Sequence, residues 1–133
     1  MISKSINLVL GNKVNNSDML MQDFVQAPDF FFDSINASDV LESQEDEQLL
    51  TIMCNKLKSG GMLKISGIDG ISLCRKIGNG QVNISELNNL IKSIKQLNSL
   101  ITMKKFFIDN KWQISSMIQD SNSIRYTIEA TKP

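Results

Sequence analysis

The chain has 133 residues, of which 41% are hydrophobic and 21% are charged, so it can bury one core, and we expect a single domain over residues 1–133. Its 14 basic and 14 acidic residues cancel, which argues against nucleic acid or an anionic membrane as a partner recruited by net charge. No apolar run approaches the ~20 residues of a membrane span, and the N-terminus lacks the apolar region of a secretory signal. We therefore expect a cytoplasmic protein.

Cysteine and histidine usage limits the chemistry. Cys54 and Cys74 are the only cysteines, and histidine is absent. We predict two reduced and mostly buried thiols rather than a disulfide. Without histidine the chain lacks the most common general base, the Cys-His and Ser-His-Asp nucleophile systems, and the usual zinc and iron ligands. We expect no metal site, and any reaction has to use carboxylates, lysine, tyrosine or the positioning of reactants.

The N-terminal part predicts two strands and an aromatic segment. Residues 5–10 alternate and then become apolar before Gly11, which is typical of a buried strand that ends at a glycine turn. After a turn-forming cluster, residues 19–24 form a short apolar stretch that we predict as a second strand. Pro28 excludes a central strand position for itself, and the run Phe30-Phe31-Phe32 is expected to pack beneath the sheet.

The middle of the chain predicts a strand, a helix and a second strand. Residues 34–38 are small and partly apolar, as in a strand covered on both faces. Ser43 offers an N-cap with an acid three residues further on, so a helix is expected to begin near it and to end at Gly60. Residues 62–66 then predict a short strand, which is parallel to the earlier one because a full helix separates them.

The C-terminal half predicts helices followed by a hairpin. Ser85 is a candidate N-cap for one helix, and a second helix is expected over about residues 100–109. Residues 112–118 and 124–130 alternate with period two around a turn-forming cluster, which favours an antiparallel hairpin. Their aromatic residues are expected to lie in the core rather than at a stacking site.

Three segments resemble the class I S-adenosylmethionine-dependent methyltransferase superfamily. Residues 33–42 are similar to the superfamily's strand that begins with an aspartate, continues with small residues and leads through Val-Leu-Glu into the next helix. Residues 57–66 are similar to its Leu-Lys-Pro-Gly-Gly turn and following strand, with Ser59 in place of proline. Residues 6–13 resemble a subgroup whose first strand reads Leu-Asn-Leu-Gly-Cys-Gly-Asn-Lys. The resemblance implies a three-layer, Rossmann-like α/β fold with a mostly parallel sheet and a C-terminal antiparallel hairpin.

The resemblance also shows where the chain departs from the superfamily. The superfamily's first turn uses several glycines so that backbone amides can approach the cofactor, whereas here Val9 and Leu10 precede a single Gly11. A Cβ at these positions is expected to push a cofactor away. The helix between the first two strands, and the strand and helix before Phe31, are expected to be reduced or absent. The implied fold is therefore a reduced one, shortened in its N-terminal cofactor-binding half.

S-adenosylmethionine is the cofactor that the resemblance implies. The candidate cofactor-binding residues are Gly11, Asn12, Asp23, Ser38 and Asp69. The first two are expected to approach the methionine portion, and Asp23 to hold the ribose. Ser38, Asp39 and Asp69 are expected to line the reacting end, with Asp39 as the candidate catalytic base. Two ordinary alternatives stay open, since Asp23 also suits a surface turn and Asp69 a glycine-rich loop.

Two classes of function follow from the resemblance. The first is an S-adenosylmethionine-dependent methyltransferase acting on a small molecule or biosynthetic intermediate, with activity that the shortened half weakens or abolishes. The second is a non-catalytic methyltransferase-like scaffold or subunit, a homodimer or hetero-complex, whose uncovered strand faces or phenylalanines contact a protein partner. An unrelated α/β binding module is a third alternative.

Overall fold

The computed structural model describes residues 4–10, 15–44, 48–120 and 123–133. These residues form six strands, five α-helices and one 3-10 helix. In chain order the elements are β1 (Ser5–Val9), β2 (Asp18–Leu20), α1 (Met21–Phe24), β3 (Phe32–Ser38), the 3-10 helix (Leu41–Ser43), α2 (Leu49–Lys56), β4 (Leu57–Ile68), α3 (Gly70–Gly78), α4 (Ile84–Ser93), α5 (Leu100–Asp109), β5 (Gln113–Asp120) and β6 (Arg125–Thr131).

The described strands all belong to one sheet, in the order β2-β1-β3-β4-β6-β5. β1 pairs in parallel with β2 and with β3, and β3 pairs in parallel with β4. β6 is antiparallel to both of its neighbours, β4 and β5. The predicted α/β sheet, mostly parallel and ending in an antiparallel hairpin, is therefore confirmed.

The hydrophobic core lies against one face of this sheet. Along β4, Leu63 and Ile65 are buried, whereas the alternate residues Met62 and Lys64 are exposed. The register partners of the buried pair are also buried, namely Ile35, Ala37, Ile128 and Ala130. The helices α1, α2 and α5 complete this core through Phe24, Leu49, Met53, Met103 and Phe107. Period-two alternation thus gives each central strand one apolar side, which packs against these helices.

The other face of the sheet carries a polar row that crosses every described strand. In register, the row consists of Asp18, Asn7, Asn36, Lys64, Glu129 and Ser116. Asn36 Nδ2 donates to Asn7 Oδ1 at 3.2 Å, and Asn7 Nδ2 donates to Asp18 Oδ1 at 3.4 Å. The described residues leave this face, which we call the open face, partly exposed. Lys64 is exposed and Asn36 and Glu129 are half-buried, whereas Asp18 is buried.

Two element boundaries near the front of the sheet differ from the prediction. The stretch 19–24 is not a strand throughout, because β2 ends at Leu20 and α1 begins at Met21. β1 itself ends at Val9, which pairs with Leu20, so no further residue of β2 finds a pairing partner there. Asp23 consequently lies on a helix rather than at a strand end.

The middle helix is also displaced from its predicted position. Ser43 ends the 3-10 helix, and α2 runs from Leu49 to Lys56. Gly60 does not end a helix; it lies within β4 with φ of 78°, close to the register shift between β3 and β4. A positive φ suits glycine at such a bulge. Buried Leu57 begins β4 because it pairs with Phe32 in the core.

The helices after β4 were predicted in part. α3 is not among the predicted helices. α4 is capped by Asn83 rather than by Ser85, since Asn83 Oδ1 accepts a hydrogen bond from Glu86 N at 2.8 Å. The predicted bounds of α5 are those of the structure, and Trp112 and Tyr126 are core residues as expected.

Two other packing expectations are corrected. Cys54 is buried, but Cys74 is exposed on α3, so only one thiol is buried. Of the three consecutive phenylalanines, Phe32 is buried and Phe31 half-buried, whereas Phe30 is 61% exposed. No helix among the described residues is both long and apolar enough to cross a lipid bilayer.

The one-sided core predicts opposite results for two neighbouring residues of β4. Leu63→Ala is expected to lower the free energy of unfolding by about 2–5 kcal/mol, because it leaves a cavity in the core. Lys64→Ala is expected to change it by less than about 0.5 kcal/mol, since its side chain is solvated. Urea denaturation of both variants measures this difference, and similar losses from the two substitutions would contradict a sheet with one open face.

The two cysteines should differ in reactivity. Burial raises the pKa of the Cys54 thiol to about 12, although the positive charge of Lys132 opposes this. Cys54 therefore stays protonated and inaccessible at pH about 8, while exposed Cys74 reacts. A disulfide-exchange reagent such as DTNB is expected to modify one thiol of the native chain and both after unfolding. Rapid modification of both thiols in the native protein would be inconsistent with this packing.

Candidate functional site

The order of the parallel strands places the candidate site at their carboxyl ends. From β1 the chain moves to β2 on one side and then returns to β3 on the other side, so the strand order reverses at β1. Open α/β sheets bind ligands in the crevice outside the carboxyl ends of the strands at such a reversal. In this chain the crevice is bounded by Leu10 after β1, Leu20 at the end of β2 and Ser38 at the end of β3.

A cavity of about 540 Å³ opens at the carboxyl ends of β1 and β2. Its walls are formed by Leu10, Leu20, Met21, Gln22, Val25 and Gln44. Four of these side chains are apolar and two are amides, which can both donate and accept hydrogen bonds. Small-molecule sites commonly combine an apolar lining with a few polar groups, as this cavity does.

Hydrogen bonds from outside the cavity hold two of its walls. Gln96 Nε2 donates to the carbonyl oxygens of Leu41 and Gln44, at 2.8 and 3.0 Å, and so fixes the segment that follows the 3-10 helix. On the opposite side, the buried Lys56 ammonium donates to the carbonyl oxygens of Val25 and Ala27. It also forms an ion pair with Asp29 at 3.6 Å. These bonds fix the backbone on both sides of the cavity.

The predicted cofactor-binding residues are distributed unevenly around this cavity. Gly11 and Asn12 lie outside the described residues. Asp23 is exposed on the first turn of α1, and its neighbour Gln22, not Asp23, lines the cavity. Ser38 is exposed at the carboxyl end of β3, where it pairs with Ser66 of β4. The assignments of these residues stay predictions.

Asp39, the candidate base, occupies an unusual backbone conformation. Its φ is 59°, in the left-handed region that non-glycine residues rarely adopt. Its amide donates to Ser66 O at 2.9 Å, and its carbonyl accepts from Ser43 Oγ at 3.1 Å. Asp39 Oδ1 lies 2.8 Å from Arg125 Nη2, with both side chains about half exposed. Such solvated pairs contribute only about 0–1 kcal/mol, so another anion can displace Asp39 from Arg125 at little cost.

Asp69 has a different environment from the other candidates. Its side chain is 2% exposed, and both carboxylate oxygens accept hydrogen bonds within the protein. Leu100 N donates to Oδ1 at 3.2 Å, and Ser72 Oγ donates to Oδ2 at 2.7 Å. Gln119 Nε2 also donates to Oδ2. The carboxylate thereby joins the N-termini of α3 and α5 to β5, and this geometry disfavours its assignment to a cofactor.

The role of Asp69 can be separated from that of Asp23 by stability measurements. Asp69→Asn places an NH₂ group among donors and removes the charge that they contact, so it should lower the free energy of unfolding by about 2–3 kcal/mol. Asp23→Asn, on an exposed helix position, should change it by less than about 0.5 kcal/mol. Thermal or urea unfolding tests both. If Asp69→Asn left the stability unchanged, the linking role would be wrong.

No protein-family model matches the chain, and no curated protein sequence matches it significantly. Solved structures, in contrast, match it over most of its length. Magnesium protoporphyrin IX methyltransferase from Synechocystis PCC 6803, with bound SAH, is 17% identical with a TM-score of 0.55, over 89% of this chain and 52% of that one. A complex of the Haloferax volcanii Trm112 methyltransferase activator with a candidate methyltransferase gives 11% identity and a TM-score of 0.60, over 91% and 64% of the two chains.

A candidate S-adenosylmethionine-dependent methyltransferase from Listeria monocytogenes is similar along most of both chains. It is 12% identical with a TM-score of 0.59, over 98% of this chain and 81% of that one. The present chain thus spans 52% of the Synechocystis protein and 64% of the matched Haloferax chain, but 81% of the Listeria protein. It has the Rossmann-like α/β fold of class I S-adenosylmethionine-dependent methyltransferases, which confirms the fold that the sequence resemblance implied.

Proposed function

We propose that this protein binds S-adenosylmethionine at the carboxyl ends of β1 and β2 and methylates a small molecule or biosynthetic intermediate. The observation that carries the proposal is the position of the 540 Å³ cavity, at the reversal of strand order in a methyltransferase fold. This position is where open α/β sheets bind their ligands.

The cavity suits the cofactor in size and in chemistry. Its volume lies within the range of about 300–1,000 Å³ that is usual for small-molecule sites. Leu20, Met21 and Val25 offer apolar contacts to a purine ring, and the amides of Gln22 and Gln44 offer partners for hydroxyl groups. Leu10 forms part of the wall and remains 43% exposed, so its side chain lines the cavity without filling it.

The remaining site residues would align a substrate and remove its proton. S-adenosylmethionine, when bound, supplies a methyl group on a sulfonium, so the protein has mainly to position the nucleophile. Asp39 is the candidate acceptor for the proton that the nucleophile loses, once Arg125 is drawn away from it. Ser38, at the adjacent strand end, can donate or accept a hydrogen bond to the same substrate.

Direct binding tests the proposal. Isothermal titration with S-adenosylmethionine, and with its demethylated product, is expected to give saturable heat and to raise the melting temperature, because a ligand that binds only the folded state stabilises it. Absence of both heat and thermal shift at millimolar ligand would contradict the proposal.

A matched pair of tryptophan variants locates the binding. Leu10→Trp places a large side chain at the cavity wall and is expected to weaken binding by at least about tenfold. Met117→Trp is the control, since Met117 is similarly exposed, at 41% against 43%, but lies on β5. Equal binding by both variants and the parent would show that the cofactor lies elsewhere.

The alternative is a non-catalytic scaffold, and the exposed surfaces bear on it. The open face of the sheet carries the polar row but also the apolar side chains of Met62 and Ile118, which are 39% and 60% exposed. Large exposed apolar residues also occur on the helices after β4, notably Ile84, Ile91 and Ile101. A homodimer or hetero-complex through those helices is compatible with cofactor binding. Light scattering separates the cases, since a monodisperse monomer that binds the cofactor counts against a purely scaffolding role.

A further inference from the structure

The helix α4 is amphipathic, but it buries none of its residues. Its apolar side chains at Leu87 and Leu90 are half-buried, and Ile91 is 57% exposed. Ile84, at its first position, is 72% exposed. An amphipathic helix in a folded domain usually buries its apolar side. The apolar side of α4 is therefore only partly covered by the described residues.

Beside this helix lie two adjoining cavities, which we call the α3–α5 groove. One cavity, of about 510 Å³, lies between α3 and the start of α5. The other, of about 230 Å³, lies between α3 and α4. Cys74 and Leu97 line both cavities, so the two adjoin at these side chains. The apolar residues of the groove include Ile71, Ile77, Leu87, Ile91, Ile94 and Leu97.

The segment that forms the groove is strongly basic within a neutral chain. Residues 70–111 contain seven basic and two acidic residues, a net charge of +5, and the rest of the chain contains seven basic and twelve acidic residues, a net charge of −5. Arg75 lies in the wall of the groove. Lys104 and Lys105 are exposed on α5, between the exposed apolar residues Ile101 and Ile108. The groove thus combines apolar cavities with one basic lining residue, Arg75, in a segment whose net charge is positive.

We propose that the α3–α5 groove docks an acidic amphipathic helix of a partner protein. Two concave cavities can receive protruding apolar side chains, as in other grooves that bind a helix through anchors on one of its faces. The basic surroundings favour glutamate or aspartate on the remaining faces of that helix. A lipid bilayer also attracts basic apolar surfaces, but its flat surface would leave the cavities unfilled. The groove shares no lining residue with the candidate cofactor cavity, so a partner in the groove would not occupy the cofactor's space.

Synthetic peptides can test this proposal on the full chain. The probe is a fluorescent helix of roughly five turns, with leucines at i, i+3, i+4 and i+7 on one face and glutamates elsewhere. Fluorescence anisotropy is expected to show saturable binding at least about tenfold tighter than that of the same peptide with lysine in place of glutamate. Binding should weaken when the ionic strength rises from about 0.1 M to about 1 M.

Matched variants locate the binding. Leu97→Ser is expected to weaken peptide binding by at least about tenfold, whereas Ile118→Ser should leave it unchanged, since Ile118 is similarly exposed, at 60% against 51%, but lies on β5. Ile91→Ser serves as a second groove variant if Leu97→Ser lowers the melting temperature. Equal affinity for the acidic and basic peptides, or an unchanged affinity in both groove variants, would overturn the proposal.

Two further measurements test whether a membrane or a second copy of the chain occupies the α3–α5 groove instead. Binding to vesicles that contain anionic lipid, together with no binding to the acidic peptide, would assign the groove to a membrane and overturn the proposal. Self-association that Leu97→Ser abolishes, measured by sedimentation in the absence of peptide, would assign the groove to a second copy of the chain and overturn it equally. A monomeric parent protein that ignores vesicles and binds the acidic peptide is the expected result.

Discussion

The structure depends on the alternation of apolar and polar residues along its central strands. In β3, β4 and β6 the apolar set faces one side, where the helices α1, α2 and α5 contribute to a single core. The opposite set is mostly polar, although it includes Met62 and Ile68 of β4, and it contains hydrogen-bonded asparagines on adjacent strands. A one-residue slip of register would expose the apolar set and bury the polar one, so this pattern fixes both the pairing of the strands and the side to which the helices pack.

The one-sided sheet also determines where function can reside. The row of asparagine, lysine and glutamate on the open face is partly exposed, and its asparagines are hydrogen-bonded to each other. This leaves the edges of the sheet and the helices after β4 as the places with concave apolar surface. The candidate cofactor cavity lies at the carboxyl ends of the first strands, and the α3–α5 groove lies beside a helix that buries no residue. The two surfaces are separate but not remote, since Gln96, next to Leu97 of the groove, holds the backbone of Gln44 in the cavity wall.

The sequence predicted those features that local patterns determine. The parallel pair β3 and β4, the bounds of α5 and the C-terminal hairpin follow from periodicity and from turn-forming residues. The length of β2 does not follow from local patterns, because it is set by the end of its pairing partner β1. The sequence predicts a helix end at Gly60, because a glycine that ends a helix and a glycine in a bulge give the same local signal. The pairing of Leu57 with Phe32 shows that Gly60 belongs to a bulge. The open face was not predicted either, although the polar alternation of β4 could have indicated it.

The candidate site was predictable in its position and less so in its residues. The resemblance indicated the strand ends, and these are where the cavity lies. Gln22, Gln44 and Arg125 were not predicted, since glutamine and arginine carry no sequence signal for a site until the fold brings them to the same edge. Asp69 carried such a signal, but a buried carboxylate that links two helix ends produces the same local pattern as one that faces a ligand.

The central claim is that the cofactor lies at the carboxyl ends of β1 and β2. Backbone amide chemical shifts, recorded by NMR during titration with S-adenosylmethionine, test it most directly because they report every affected position at once. The account predicts that the largest changes occur at Leu10, across residues 20–25 and at Gln44, with little change along Asn36, Lys64 and Glu129 on the open face. Changes confined to the open face or to the α3–α5 groove, or none at saturating cofactor, would contradict it.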